Sequence, residues 1–252
     1  MSRSVRTSLL LFLTCTLLGA CAGSVEVSTT TSLQTTTVTT PPTTTPTTAG
    51  ASTTTTEGEL PGQPIDFGPR AGDEVAVVGV AHDDVLNVRA APGTDAAIVA
   101  ELAPTAMGIT AAGRARSLPE SIWYEVEVDG VVGWVSSAFV GFLGLTDDAT
   151  ADVIAALGET PGAETMLDLG LIVAEAMASD DPPSRMVVSV SPTVGDLGEV
   201  TYDVVGLGDD ALGGVRLHVF GDPAEGGEGF VLSNVERTFI CSRGVTDDGF
   251  CV

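Results

Sequence analysis

Short β-type runs separated by turn residues fill residues 75–140, and this spacing constrains the fold more than any other feature of the chain. Residues 122–128 alternate between the two faces of an expected strand. Asp129-Gly130 follows directly, a pair that favours a two-residue hairpin turn. No long helical pattern interrupts the segment, so the sequence predicts a small all-β barrel. The expected strands are residues 75–80, 85–89, 98–102, 107–111, 122–128 and 131–135, with a polar loop at 114–121 and a tight turn at 136–140 into a last short strand.

The same segment carries several motifs in a fixed order. They are Leu86-Asn87-Val88-Arg89, the turn Pro92-Gly93, Trp123-Tyr124 and Gly133-Trp134-Val135. In this order they resemble the signature of bacterial SH3-like (SH3b) domains, which are small β-barrels common in cell-envelope proteins. The resemblance covers residues 73–144. It implies a domain that binds peptidoglycan or a wall-associated partner.

A ligand face on such a domain needs exposed aromatic side chains with hydrogen-bonding groups beside them. Trp123 lies on the strand face that also carries Glu125, so we expect its indole to be exposed. Trp134 follows Gly133 in a strand, and a core position is the alternative for it. Tyr124 is as easily placed inside as outside. The candidate ligand face consists of Trp123, Tyr124, Trp134, Asn87 and Arg89.

Two of these candidates have alternatives that involve no ligand. Asn87 could instead fix a turn through its side chain. Arg89 could instead pair with Asp84 or Glu101, which lie near it in the sequence. In either case the side chain would stabilise the barrel rather than contact a partner.

The N-terminus has the pattern of a secretory signal, predicted at residues 1–20. Arg3 and Arg6 precede an apolar run that is too short to span a bilayer as a helix. The run ends in Leu18-Gly19-Ala20-Cys21, which resembles a lipobox. That resemblance implies cleavage before Cys21 and a diacylglycerol group on its thiol, and hence a lipoprotein on the outer face of the cell membrane. The alternative is cleavage after Ala22, which would give a secreted protein.

Residues 21–72 read as a disordered tether. Thr dominates residues 29–56, and Pro41, Pro42 and Pro46 interrupt the stretch. Few large apolar residues are present, so no core can offset the entropy of ordering this segment.

The segment 145–252 predicts an α+β domain, with a helix packed on an antiparallel sheet. A short helix is expected at 149–157, and a longer one begins at Thr160-Pro161, runs to about residue 178 and stops at 180–183. Cys241 and Cys251 bracket a short loop, and in an extracytoplasmic protein such a pair is most simply a disulfide. The expected strands are residues 185–191, 200–205, 214–220 and 230–241.

Composition and spacing exclude several function classes. The chain has 34 acidic residues against ten basic ones, all of them Arg, for a net charge of −24, so binding to nucleic acid is not expected. His82 and His218 are the only histidines, and they belong to different predicted domains. We find no nucleophile with a general base, no metal-ligand spacing and no cofactor motif, and we expect no catalytic activity.

The sequence therefore favours a multi-domain lipoprotein anchored through Cys21, with an SH3-like barrel that binds peptidoglycan or a wall protein. One alternative is an interaction scaffold in which the C-terminal domain binds a protein or ligand. Another is an accessory to a wall-modifying enzyme.

Overall fold

The computed structural model describes residues 60–195 and 198–252, and these residues form a mostly β structure with two helices. The strands are β1 Gln63–Ile65, β2 Glu74–Val77, β3 Leu86–Arg89, β4 Ile98–Leu102, β5 Ile109–Leu118, β6 Ser121–Val128, β7 Val131–Ser136, β8 Val140–Asp148, β9 Gly162–Ala163, β10 Arg185–Val194, β11 Gly198–Val205, β12 Leu212–Pro223 and β13 Phe230–Cys241; the helices are α1 Thr150–Leu157 and α2 Met166–Met177.

All strand pairings are antiparallel, and they join into one large sheet in the order β10-β11-β12-β13-β8-β2-β5-β6-β7-β3-β4. Off this path, β1 pairs with β5 and β9 pairs with β13.

The first seven strands, here called the N-terminal strands, enclose a core of β-branched and aliphatic residues. Strands β6 and β7 form the predicted hairpin, with φ at 51° for Asp129 and 78° for Gly130. Positive φ at both central residues is what a type I′ turn requires, so Asp-Gly suits this position. The buried core residues are Val75, Val77, Val80, Leu86, Val88, Leu102, Ile109, Val126 and Val135, joined by Val140, Phe142 and Cys241.

Strands β10, β11, β12, β13 and β8, here called the C-terminal sheet, pack one face against the two helices. Leu169 and Val173 of α2 contact this face, where Val204, Leu217 and Val235 are fully buried. The α2 helix begins later than the predicted Thr160-Pro161 start, because residues 162–163 pair with β13 as strand β9. Thr165 is the N-cap instead, and its hydroxyl accepts a hydrogen bond from the Asp168 N–H at 3.1 Å.

Strand β8 connects the two groups of strands. Its first residues pair with β2, and its later residues pair with β13. It is longer than the short last strand predicted for the barrel. A short 3-10 turn at Ser137–Phe139 precedes it.

A buried ion pair also joins the two groups. The fully buried Asp203 carboxylate accepts hydrogen bonds from Arg216 Nε and from the backbone N–H of Gly79, each at 2.7 Å. Arg216 donates as well to the carbonyl of Val77, at 2.8 Å. The segment that follows β2 is therefore held against the face of the C-terminal sheet that is opposite to the helices.

Two further predictions require correction. The run 107–111 and the loop 114–121 are largely one strand, β5, because Arg114 and Arg116 find partners within the fold. Part of the predicted tether is also ordered, since β1 pairs with β5 and Leu60 is buried against Trp123 and Trp134.

The predicted signal at 1–20, Cys21 and the tether up to residue 59 lie outside the described residues. Among the described helices, none is long and apolar enough to cross a membrane.

Candidate functional site

A groove of about 480 Å³ lies where the N-terminal strands meet the C-terminal sheet. Its walls come from the segment after β2, strand β3, the start of β6 and the first residues of β10. Val85, Phe139 and Val187 supply apolar surface. The polar and charged side chains that line it are Asp84, Asn87, Arg89, Thr94, Ser121, Ser136 and Arg185.

Arg89 is half-buried at the end of strand β3. One guanidinium N–H group donates to the carbonyl of Ala96 at 2.7 Å, which fixes the side chain against the loop after β3. Among the described residues Arg89 makes no ion pair, so the proposed pairing with Asp84 or Glu101 is not formed. Asn87, two residues earlier, lines the same groove. Alternation along β3 places both side chains on the face opposite to the buried Leu86 and Val88.

Arg185 reaches the groove from the first position of β10. One of its N–H groups donates to the carbonyl of Gly79 at 2.6 Å, and the guanidinium carbon lies 5.2 Å from the centre of the Phe139 ring. Its cross-strand neighbour is the apolar Val205. Within the part of the chain that the structure describes, Arg185 has no carboxylate partner.

Trp123 is buried, and the expectation that its indole would be exposed is wrong. Only 4% of Trp123 is accessible, and Nε1 donates to the Ser121 hydroxyl at 2.9 Å. Leu60 covers this face of β6, and the sequence pattern could not reveal a covering segment some sixty residues away. Part of the indole still borders the groove.

Trp134 has the core position that the sequence allowed as an alternative. It is 2% exposed and packs with Trp123 and Leu60. The guanidinium of Arg114 lies 5.6 Å from its ring centre and also binds the buried Glu125 carboxylate. This arrangement explains how an acidic side chain can be buried on that face.

Tyr124 is half-buried and lies outside the groove. It packs against the core of the N-terminal strands. Together with Val78 and Ser137 it lines a neighbouring depression. Burial raises the pKa of its phenol above the ordinary value. The groove therefore includes Asn87, Arg89 and an edge of Trp123 from the predicted face, and it excludes Tyr124 and Trp134.

Sequence reasoning missed Asp84 and Arg185 as residues of the site. The sequence offers Asp84 as a partner for Arg89 and not as part of the ligand face; in the structure its carboxylate accepts from the Val85 N–H at 2.8 Å. Arg185 lies at least 50 residues beyond the last of the motifs, at Val135, and its only sequence signal is that basic residues are scarce in so acidic a chain.

The two histidines lie at separate places in the structure. His82 lies near β3, and its backbone N–H donates to the carbonyl of Val188 at 2.8 Å. His218 lies on β12 between Glu199 and Glu236, at 3.2 and 3.6 Å, and its ring centre is 4.0 Å from that of Phe220. Among the described residues, no group of three His, Cys, Asp or Glu side chains is placed to hold a metal ion.

The predicted disulfide joins Cys241 to Cys251, with Cα atoms 5.1 Å apart. Cys241 is fully buried at the end of β13 and contributes to the core of the N-terminal strands. The bond therefore holds the segment after β13 against this core.

Comparison with known proteins identifies part of the chain. Residues 84–141 match the family model described as bacterial SH3 domain. The matched range begins at Asp84 of the groove and ends just inside β8, so Asn87, Arg89 and Trp123 belong to it and Arg185 does not. No curated protein and no solved structure matches the chain.

Proposed function

Because residues 84–141 are a bacterial SH3 domain, we propose that this protein binds peptidoglycan or a wall-associated partner through the groove at that domain. In this proposal the groove binds and positions a ligand and catalyses no reaction. Its side chains offer hydrogen-bond donors and apolar surface, with no paired nucleophile and base.

The proposal includes the architecture inferred from the sequence. The N-terminal strands with the start of β8 make an SH3-like barrel, and the C-terminal sheet with its two helices makes an α+β domain. Lipid on Cys21 anchors the chain in the outer face of the cell membrane. The 38 residues between Cys21 and Leu60 can extend to at most about 125 Å at about 3.3 Å per residue, enough to place the groove within the wall.

One observation carries the proposal: the SH3 motif residues Asn87 and Arg89 line an open, partly apolar groove with hydrogen-bonding capacity that the fold does not use. One N–H group of Arg89 donates to the Ala96 carbonyl, and the guanidinium forms no ion pair within the described chain. A guanidinium carries several donors in a planar fork, so further N–H groups remain for a ligand oxygen.

We expect the purified full chain to sediment with peptidoglycan sacculi, and Arg89→Gln to weaken this binding. A hydrogen bond from a charged donor contributes about 1.5 kcal/mol or more, so the loss should be about tenfold in affinity. Arg70→Gln is the matched control, because Arg70 is exposed, lies outside the groove and forms no ion pair within the described residues.

Depletion from the supernatant at several protein concentrations measures both affinities, and moderate salt screens the repulsion between the acidic chain and anionic wall polymers. A full chain that remains in the supernatant contradicts the proposal. Equal affinities for Arg89→Gln and Arg70→Gln would place the binding surface elsewhere.

The anchor has a separate test in cells. Cys21→Ser removes the thiol that would carry the diacylglycerol group, and two acyl chains are what stable membrane attachment requires. We expect the variant to appear in the soluble extracellular fraction while the wild-type chain sediments with membranes. Continued sedimentation of Cys21→Ser with detergent-soluble membrane material would refute lipid anchoring.

A further inference from the structure

We propose that the groove recognises a peptide with a free carboxylate, and that Arg185 of the C-terminal sheet is the residue that selects for it. This inference rests on the proposed wall-binding function and adds the chemical class of the ligand. It also assigns a binding role to a part of the chain that lies beyond the SH3 domain.

The distribution of arginine partners is the first support. With 34 acidic residues and ten arginines, carboxylates are abundant, and four of the eight described arginines are paired with one. Arg116 is buried and donates to the carbonyls of Leu60 and Gly62. Arg70, Arg89 and Arg185 form no ion pair within the described chain, and Arg89 and Arg185 line the groove. The arginines that are paired with carboxylates are Arg114, Arg216, Arg237 and Arg243.

The geometry of Arg185 is the second support. Its bond to the Gly79 carbonyl and its contact with the Phe139 ring hold the guanidinium in one place before any ligand arrives. Gly79 is itself fixed, because its N–H donates to the buried Asp203 carboxylate at 2.7 Å. A positioned guanidinium loses less entropy on binding than a mobile one, and its planar fork matches the two oxygens of a carboxylate.

The rest of the groove favours a peptide over a polyanion. Asp84 brings a negative charge to the same groove, and this charge would repel a polymer that carries a phosphate on every unit. A peptide that has an amino group as well as a carboxylate meets both signs of charge. Val85, Phe139 and Val187 provide apolar surface for the aliphatic part of such a peptide.

The two groups of strands thus form one composite site. Arg89 comes from the matched SH3 domain, and Arg185 comes from β10. In this arrangement the SH3 domain supplies wall binding, and the C-terminal sheet decides which wall peptides are bound.

The test compares stem peptides released from sacculi, with free carboxylates, against the same peptides after amidation of those carboxylates. We expect the full chain to bind the free acids about tenfold more tightly, the scale of one charge-assisted hydrogen bond at a partly exposed site. Arg185→Gln should remove this preference, since its amide can still donate to the Gly79 carbonyl but carries no charge. Arg70→Gln should keep it. Calorimetric titration of the wild-type chain and the two variants, each with the acid and with the amide, gives the three ratios directly.

Arg185→Lys decides the result if Arg185→Gln loses its fold, which thermal unfolding would reveal. Lysine keeps the positive charge without the planar fork, so part of the preference should survive. Equal binding of acid and amide by the wild-type chain overturns this inference and leaves the wall-binding proposal standing. A full preference in Arg185→Gln overturns the role of Arg185. No binding to peptides or to sacculi overturns both proposals.

Discussion

Gly133 and Trp134 of the SH3 motif serve packing rather than recognition. A Cβ atom on Gly133 would lie 2.6 Å from Val88 Cγ1 and 2.9 Å from the Arg89 carbonyl oxygen, so only glycine lets β7 approach β3 this closely. Trp134 is directly opposite Arg89 in the β3–β7 pairing and is buried with Trp123. These residues hold β3 in place, and β3 presents Asn87 and Arg89 to the groove.

The Arg216–Asp203 pair acts on the groove through Gly79. Asp203 is fully buried, and its two oxygens accept from Arg216, Ser189 and the Gly79 N–H. Asp203→Asn leaves the Arg216 charge buried without its partner, and breaking a buried pair in this way costs about 3–5 kcal/mol. Urea unfolding should show a loss of that size in the free energy of unfolding.

Asp210→Asn is the control for this substitution, because the Asp210 carboxylate pairs with Arg243 at the surface and is 81% exposed. Exposed pairs contribute about 0–1 kcal/mol, so we expect almost no change. Similar losses in the two variants would mean that Asp203 does not hold the segment after β2 against the C-terminal sheet.

At the level of the elements, the sequence predicted those with strong local signals. The β6–β7 hairpin follows from alternation and from Asp129-Gly130, and α1 and β13 match their expected ranges within a residue or two. Turn chemistry and periodicity act over a few residues, so they can be read without knowledge of the fold.

Elements with distant partners could not be predicted in this way. Strand β5 contains Arg114 and Arg116, which look like loop residues until Glu125 and the carbonyls of Leu60 and Gly62 supply partners. The α2 helix begins later than predicted for a similar reason, because residues 162–163 pair with β13 as a strand. In each case a tertiary contact overrides local propensity.

The candidate site was predictable only in part. Asn87 and Arg89 follow from the motif, and alternation along β3 places them on one face. The burial of Trp123 depends on Leu60, and the position of Arg185 at the groove depends on β10 lying beside the segment after β2. Neither the position of Leu60 nor that of β10 can be inferred from the sequence around the motif.

At the scale of the whole molecule, the described residues belong to one compact unit in which both groups of strands share β8. The disulfide and the Asp203–Arg216 pair reinforce this connection at two separate places. The C-terminal sheet forms one wall of the groove, and the segment after β2 and the residues that match the SH3 domain form the rest.

The central claim is that ligand binds in this groove, against Arg89 and Arg185 together. The chain contains ten arginines and no lysine, so labelling with the arginine-selective reagent phenylglyoxal reports on every side chain that carries a permanent positive charge. Peptide mass spectrometry assigns the rate at each arginine. Saturating the full chain with carboxylate-bearing stem peptides should slow labelling of Arg89 and Arg185 severalfold and leave Arg70 and Arg243 unchanged. Unchanged rates at Arg89 and Arg185 under saturating peptide, or protection confined to Arg70 or Arg243, would contradict the account.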